Sequence, residues 1–427
     1  MIKTNLLKEK LAGAEYDAAL ARIYKKEDIA LQKERYAALV SRFEELFGSD
    51  REAEIYSAPG RTEVCGNHTD HNHGKVLAAG VNLDAVAVVS MNADNIVRVK
   101  SEGYKIDAVD LSNLGVMPAE RGKSESLIRG VCAAFKNRGY SIGGFDAATV
   151  SDVLSGSGLS SSAAFEVLIG TILNHLYNDG KVSAVEIAQI AQFAENEYFG
   201  KPCGLMDQMA CAVGGFIYID FEDVSDPVIE KQDFDLSRAG YDLCITDTGG
   251  NHADLNEDYA SVPAEMKAVA ALFEKDVLRD VSEEELIENA GMIRERLGDR
   301  HLLRALHFVT ENKRVALQAK ALGEGDTEAF FENVIASGLS SFRYLQNVYT
   351  TKNVGEQGLS TALCLTELFL RQKGGAYRVH GGGFAGTIQA FVPCEYTGEY
   401  KKYMEKTFGC GKCHVLSVRR KGAIRLA

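Results

Sequence analysis

Apolar residues recur at three- and four-residue spacing over the first fifty positions: Leu6, Leu7 and Leu11, then Ala37, Leu39, Val40, Phe43, Leu46 and Phe47. That period predicts helices, the second stopped by Gly48. The charge-rich stretch from Tyr24 to Arg35 reads as a solvated helix face. From residue 55 the pattern turns extended, with a break expected at Pro59-Gly60 and a buried strand over residues 86–89. A second helical period, Ala164, Val167, Leu168, Ile172 and Leu176, follows a run of glycine and serine. Ser183-Ala-Val-Glu186 is a capping box that opens a helix to about Tyr198, which Gly200 and Pro202 stop. A short helix is expected over residues 206–213, and strands over 216–221, 243–248 and 387–392. Ser282-Glu-Glu-Glu285 caps a helical region that runs with breaks to about residue 373, where Gly374 and Gly375 end it.

Two stretches carry candidate chemistry. In LSGSGLSSSAA (154–164), Gly156 and Gly158 flank Ser157, and Leu159, Ser160, Ser161 and Ser162 lead into the helical period. Glycines let backbone N–H groups approach a ligand, and a helix N-terminus attracts anions, so a polyphosphate suits this loop. A plain linker is the alternative. The Lys of a Walker A loop is missing, which argues against a P-loop ATPase. The second stretch packs Arg61, Asn67, His68, Asp70, His71, Asn72 and His73 into thirteen residues, with Gly66 and Gly74 around the polar loop. So many short polar side chains suit a hydroxyl-rich ligand, against the alternative of a solvated loop. The histidines also raise a metal, but His68 falls on the opposite strand face from His71 and His73. Asp207 falls in the first turn of its helix, where the dipole favours the ionised form and the carboxylate can orient an attacking hydroxyl. HGGGFAG (380–386) is too glycine-rich for a strand interior and reads as a tight loop.

Length, charge and cysteines narrow the class. A chain of 427 residues accommodates two or three domains. The net charge of -13 disfavours nucleic acid and anionic membrane surfaces as partners. No apolar run reaches the roughly 18 residues that span a bilayer, and the first residues show no signal-peptide pattern, so a cytoplasmic protein is expected. The nine dispersed cysteines read as reduced thiols. Cys410-Gly-Lys-Cys413-His414 has the spacing of a haem attachment site, but a turn with two incidental thiols is the favoured account.

GRTEVCGNHTDHNHG (60–74) resembles the galactokinase signature, and LSGSGLSSSAA resembles the phosphate loop of the wider GHMP kinase family. AENEYFGKPCGLMDQMACAVGG (194–215) and RVHGGGFAGTIQAFV (378–392) are similar to two further motifs of these kinases, in the same order. The resemblance covers residue 36 to the C-terminus. It implies an α/β (α+β) GHMP kinase fold of two domains, residues 36–228 and 229–427, with a helical extension over 1–35 and the active site in the cleft. It implies ATP-dependent phosphorylation of the anomeric hydroxyl of galactose. Asp207 and Arg61 would be catalytic. Asn67, His68, Asp70, Gly204 and Tyr259 would bind the sugar. Gly156, Ser157, Gly158, Leu159, Ser160, Ser161 and Ser162 would bind ATP, and Ser162 with Glu195 would hold Mg2+. A monomer is expected, with a homodimer as the alternative. One departure bears on the substrate: Asn67 stands where the signature carries Glu. A kinase for a C6-altered sugar, such as galacturonate or a deoxy sugar, is therefore the alternative, and a non-catalytic sugar sensor is the second.

Overall fold

The computed structural model describes residues 1–153, 158–249 and 255–426. Its larger sheet grows from one long hairpin, in which Glu52–Cys65 pairs antiparallel with Lys75–Met91. The break expected at Pro59-Gly60 is instead a bulge inside a continuous strand. The register jumps from Pro59↔Asp84 to Arg61↔Gly80, so residues 81–83 face a single glycine. Proline has no N–H to give the ladder, and a bulge is where a strand tolerates it. The C-terminal segment takes up the slack: Asn82 N–H donates to Ser417 O at 3.0 Å, and Val81 bridges Val418.

The bulge gives the hairpin two ends with different neighbours. Beyond it, residues 85–91 pair with Phe145–Ser151, followed outward by Ile96–Ser101 and Ile106–Asp110. On the other side, residues 75–79 pair with Phe216–Asp220, which pairs with Val228–Gln232. Ile2–Lys3 and Ile424–Arg425 both add to the Glu52–Cys65 strand. A second sheet is antiparallel throughout, in the order Ala376–His380, Thr387–Pro393, Tyr241–Asp247, Cys413–Leu416. Cys413 is buried in that last strand, while Cys410 is exposed.

Strand alternation builds two cores on the larger sheet. Tyr56, Ala87, Val89 and Ala147 face the helices Ser124–Asn137, Ser161–Tyr177, Ala184–Phe193 and Met206–Val213. Ile55, Val86, Val88 and Ala148 face Leu7, Leu11, Val40 and Phe43 of the N-terminal helices Thr4–Ala12 and Ile29–Phe47. The charged stretch from Tyr24 to Arg35 is solvated along Lys26, Glu27 and Glu34, as its composition predicts, but its two ends turn inward. Tyr24 Oη and Arg35 Nη1 donate to the buried Asp84 at 2.5 and 2.7 Å, and Arg419 Nη1 reaches the same carboxylate at 3.0 Å. Charges this deep need partners, and the two guanidiniums supply them. The long helical region is resolved into Glu283–Glu288, Ala290–Leu297, Asp299–Glu324, Thr327–Ser340 and Gly358–Leu370.

Candidate active site

Asp207 stands in the first turn of the helix Met206–Val213. Arg61, from the inner half of the long strand, meets it with two nitrogens. Nε donates to Oδ1 at 2.7 Å and Nη2 donates to Oδ2 at 2.6 Å. The fork geometry of a guanidinium matches a carboxylate, which makes such bidentate contacts the strong ones. Arg61 Nη1 donates to Gly158 O, and the Arg61 N–H donates to Leu159 O at 3.1 Å. Ser160 Oγ donates to Asp207 Oδ2 at 2.5 Å. Burial pushes the Asp207 carboxyl up, but the Arg61 charge and these hydrogen bonds outweigh it and hold it below the ordinary carboxylate range. Its side chain remains 27 % exposed, so a ligand can reach an ionised carboxylate.

The expected phosphate loop adjoins this pair. Gly156 and Ser157 lie outside the described residues. Ser160 takes a left-handed conformation immediately before the helix Ser161–Tyr177. Its hydroxyl is turned to Asp207 and does not cap the helix, and a helix start without a side-chain cap suits an anion. Gly381, at φ +67, stands close against this loop: a Cβ there would lie 3.8 Å from Gly158 Cα. The glycine loop and the phosphate loop are thus brought together from distant parts of the chain.

Glu195 is reached through an irregular turn. The helix from the capping box is α-helical to Phe193, and Ala194–Phe199 is a π-helical turn in place of the regular continuation expected to Tyr198. Such turns are frequent at functional sites because they re-aim a side chain. Glu195 accepts from Ser162 Oγ at 3.0 Å and Lys201 Nζ at 3.1 Å through Oε1, and from Gln208 Nε2 at 2.7 Å through Oε2. Gln208 Nε2 also lies 3.3 Å from Glu166 Oε2. Glu166 is fully buried, and burial with the nearby Glu195 charge pushes its carboxyl well up. Its Oε1 has no hydrogen-bond partner among the described residues. Glu166 and Lys201 were not anticipated from sequence, although Glu166 follows Ser162 by four residues on one helix face, a spacing that could have found it.

The polar loop between Gly66 and Gly74 brings together the expected sugar residues. Asp70 Oδ1 accepts from the His71 N–H at 3.0 Å. Gly204 lies directly against it: a Cβ there would stand 1.8 Å from Asp70 Oδ2, so any side chain at 204 would have to displace the carboxylate. His68 Nε2 is 2.9 Å from Gly382 O, and burial pushes its imidazole down to about 4, so it is neutral and donates through Nε2. Tyr259 Oη donates to Gly383 O at 2.9 Å. Asn67 is fully buried, and its amide atoms are bonded to Glu63, Gly381 and Asn347. The helix Asp299–Glu324 holds the loop from behind. His307 Nε2 is 3.0 Å from Asn67 O, Glu311 Oε1 accepts from the Gly66 N–H at 3.1 Å, and Asn312 Oδ1 accepts from the Lys75 N–H at 2.8 Å.

Comparison with known proteins decides the family. Residues 41–91 match the galactokinase galactose-binding signature, and residues 126–215 match the GHMP kinases N terminal domain. The sequence is 35 % identical to a galactokinase of Streptomyces coelicolor over 86 % of this chain and 91 % of that protein. The chain belongs to the galactokinase family. A galactokinase of Glaesserella parasuis is 30 % identical over 86 % of this chain and 92 % of its own length. The fold is similar to a crystal structure of Lactococcus lactis galactokinase complexed with galactose, with a TM-score of 0.78 and 26 % identity, covering 91 % of this chain and 99 % of that one. A mevalonate kinase shares the fold at a TM-score of 0.60 and 14 % identity. As a galactokinase-family protein the chain is an ATP-dependent sugar kinase. The galactokinase signature spans Arg61 and the sugar loop, while the GHMP domain spans the phosphate loop, Glu195 and Asp207. The glycine loop lies outside both matched regions and meets the phosphate loop only through the tertiary structure.

Proposed function

We propose that the chain transfers the γ-phosphoryl group of ATP to the anomeric hydroxyl of galactose. The observation that carries this reading is the ionised Asp207, fixed by Arg61 where the phosphate loop adjoins the start of its helix. Asp207 orients the attacking hydroxyl. Because its carboxyl is held low, it is a weak base, and in a loose transition state positioning counts for more than proton removal. Arg61 then stabilises charge on the transferring group. His68, Asp70, Gly204 and Tyr259 surround the sugar. The relatives named as galactokinases, one of them crystallised with galactose, do not favour a C6-altered sugar. The assembled Arg61, Ser160 and Asp207 cluster speaks against a silent sensor.

The N–H groups at the start of Ser161–Tyr177 receive the ATP phosphates. A cavity of about 480 Å³ beside them, lined by Tyr104, Leu127, Phe165 and Phe199 with Ser161 and Ser162, suits the adenine. Magnesium fits the donors present: a hydroxyl, a carboxylate and the orphaned Glu166 oxygen are hard ligands, and this ion keeps waters and phosphates in its shell. Ser162 and Glu195 would hold it, and it would screen phosphate charge. The polar loop, phosphate loop and Asp207 are carried by the larger sheet and its helices and the glycine loop by the second sheet, which supports two domains with the site in the cleft, although Val228–Gln232 and Ile424–Arg425 belong to the larger sheet and blur a boundary at residue 228. The test is ADP release with galactose, galacturonate and 6-deoxygalactose as acceptors. Turnover highest with galactose supports the reading; binding without ADP release, or preference for galacturonate, overturns it.

A further inference from the structure

Asn67 Nδ2 points between two acceptors, Glu63 Oε1 at 2.8 Å and Gly381 O at 2.6 Å. Its Oδ1 accepts from Asn347 Nδ2 at 2.5 Å, and the same Asn347 nitrogen donates to Gly382 O at 3.0 Å. The Asn347 carbonyl accepts from the Phe384 N–H at 2.5 Å. Gly381, Gly382 and Phe384 of the glycine loop are therefore tied to the sugar loop through Asn67 and Asn347. Behind them, Glu63 is anchored by Arg378 Nη2 at 3.3 Å, and Arg378 with its cross-strand neighbour Gln389 grips the backbone of residues 63 and 64. Glu63, Asn67, Arg378 and Gln389 are all buried.

With Glu63 ionised, the donor and acceptor roles in this network are set. Both amide hydrogens of Asn67 are used, so it offers no donor to a ligand. A carboxylate at position 67 would set an acceptor against both Glu63 and the Gly381 carbonyl. We propose that Glu63 is a positioning residue for the sugar site: through Asn67 and Asn347 it latches the glycine loop 381–384 onto the sugar loop, and the carboxylate at position 63 is what requires a neutral donor at position 67. This rests on the reading of the 66–74 loop as the sugar site. It also accounts for the Asn in a signature that elsewhere carries Glu: the acidic group of this pair sits one position earlier in the network, behind the amide.

The test uses isosteric exchanges in the full chain. Asn67→Asp turns the donor into an acceptor without changing shape. At pH 8 it is expected to raise KM for galactose about tenfold or more and to lower Tm, with KM for ATP within about twofold, since coupled neighbours lose well beyond their single contributions. Lowering the pH to 6 should recover part of the loss, because a protonated Asp can donate again. Glu63→Gln combined with Asn67→Asp restores a donor between the two side chains, though not toward the Gly381 carbonyl, and should bring KM and Tm part of the way back. Wild-type KM and Tm in Asn67→Asp, or a double variant no better than the single one, overturns the proposal and leaves the galactokinase reading standing. Coupling in Tm with KM for galactose unmoved overturns both the positioning role and the assignment of the loop to the sugar. Should Asn67→Asp fail to fold, a folded and active double variant supports the latch, and a double variant that also fails overturns it.

Discussion

The Arg61 guanidinium holds both oxygens of Asp207, at 2.7 and 2.6 Å, while its third nitrogen holds the Gly158 carbonyl. One side chain thus fixes the carboxylate and the phosphate loop together. Asp207→Asn keeps the shape and removes the charge. Turnover is expected to fall on the order of 10²–10⁴-fold, with KM for galactose little changed. Stability should drop by about 1–3 kcal/mol, less than the 3–5 of a fully buried pair because water reaches Asp207. Turnover and a thermal melt on the same sample check both; a folded variant with wild-type turnover removes Asp207 from the reaction.

Gly204→Ala tests the sugar loop. The new methyl would occupy the place of the Asp70 carboxylate oxygen. Displacing a charged hydrogen-bonding group costs about 1.5–3 kcal/mol of binding, so KM for galactose should rise at least tenfold while KM for ATP stays put. A rise in the ATP constant alone would move Asp70 out of the sugar site.

Glu195→Gln and Ser162→Ala should each raise the magnesium concentration that gives half-maximal rate, the first by roughly 10–100-fold and the second by less. A magnesium titration at fixed ATP reads this directly. Identical curves for both variants and the wild type exclude them from the metal site.

Glu63 gives a stability signature with a defined sign. Burial pushes its carboxyl up to about 7, against the lowering charges of Arg378 and Arg61 and the Asn67 hydrogen bond. A raised folded-state value means the folded form binds the extra proton. The stability it contributes is complete below about 4.5 and is lost as pH rises through about 7. His68 and His307, both pushed down to about 4 by burial, act in the opposite sense as pH falls below about 6.5. Comparing Tm at pH 5 and pH 8 in wild type and Glu63→Gln isolates the carboxylate: the variant should lose the decline that Glu63 adds. Parallel profiles would show that Glu63 does not titrate in this range.

The sequence by itself determined the local chemistry. Helical periods, two capping boxes and the glycine stops follow from short-range rules, and the capping boxes at Ser183 and Ser282 form as those rules require. Motif order was sufficient to identify the family, and it put forward Asp207, Arg61, Ser162 and Glu195 as candidates because each lies beside a recognisable loop or helix start. Only the tertiary structure decided how these pieces meet. Pro59-Gly60 reads locally as a break, yet pairing along both sides keeps one bent strand through it. The π turn that aims Glu195 leaves no mark in hydrophobic spacing. Asn347 and Arg378 carry no signal either, being about three hundred residues from the loop they hold. Asn67 shows the difference most directly. As a letter it is a polar residue facing a ligand; in the fold it is buried between acceptors, because burial obliges every amide hydrogen to find a partner and those partners come from segments the linear order keeps apart.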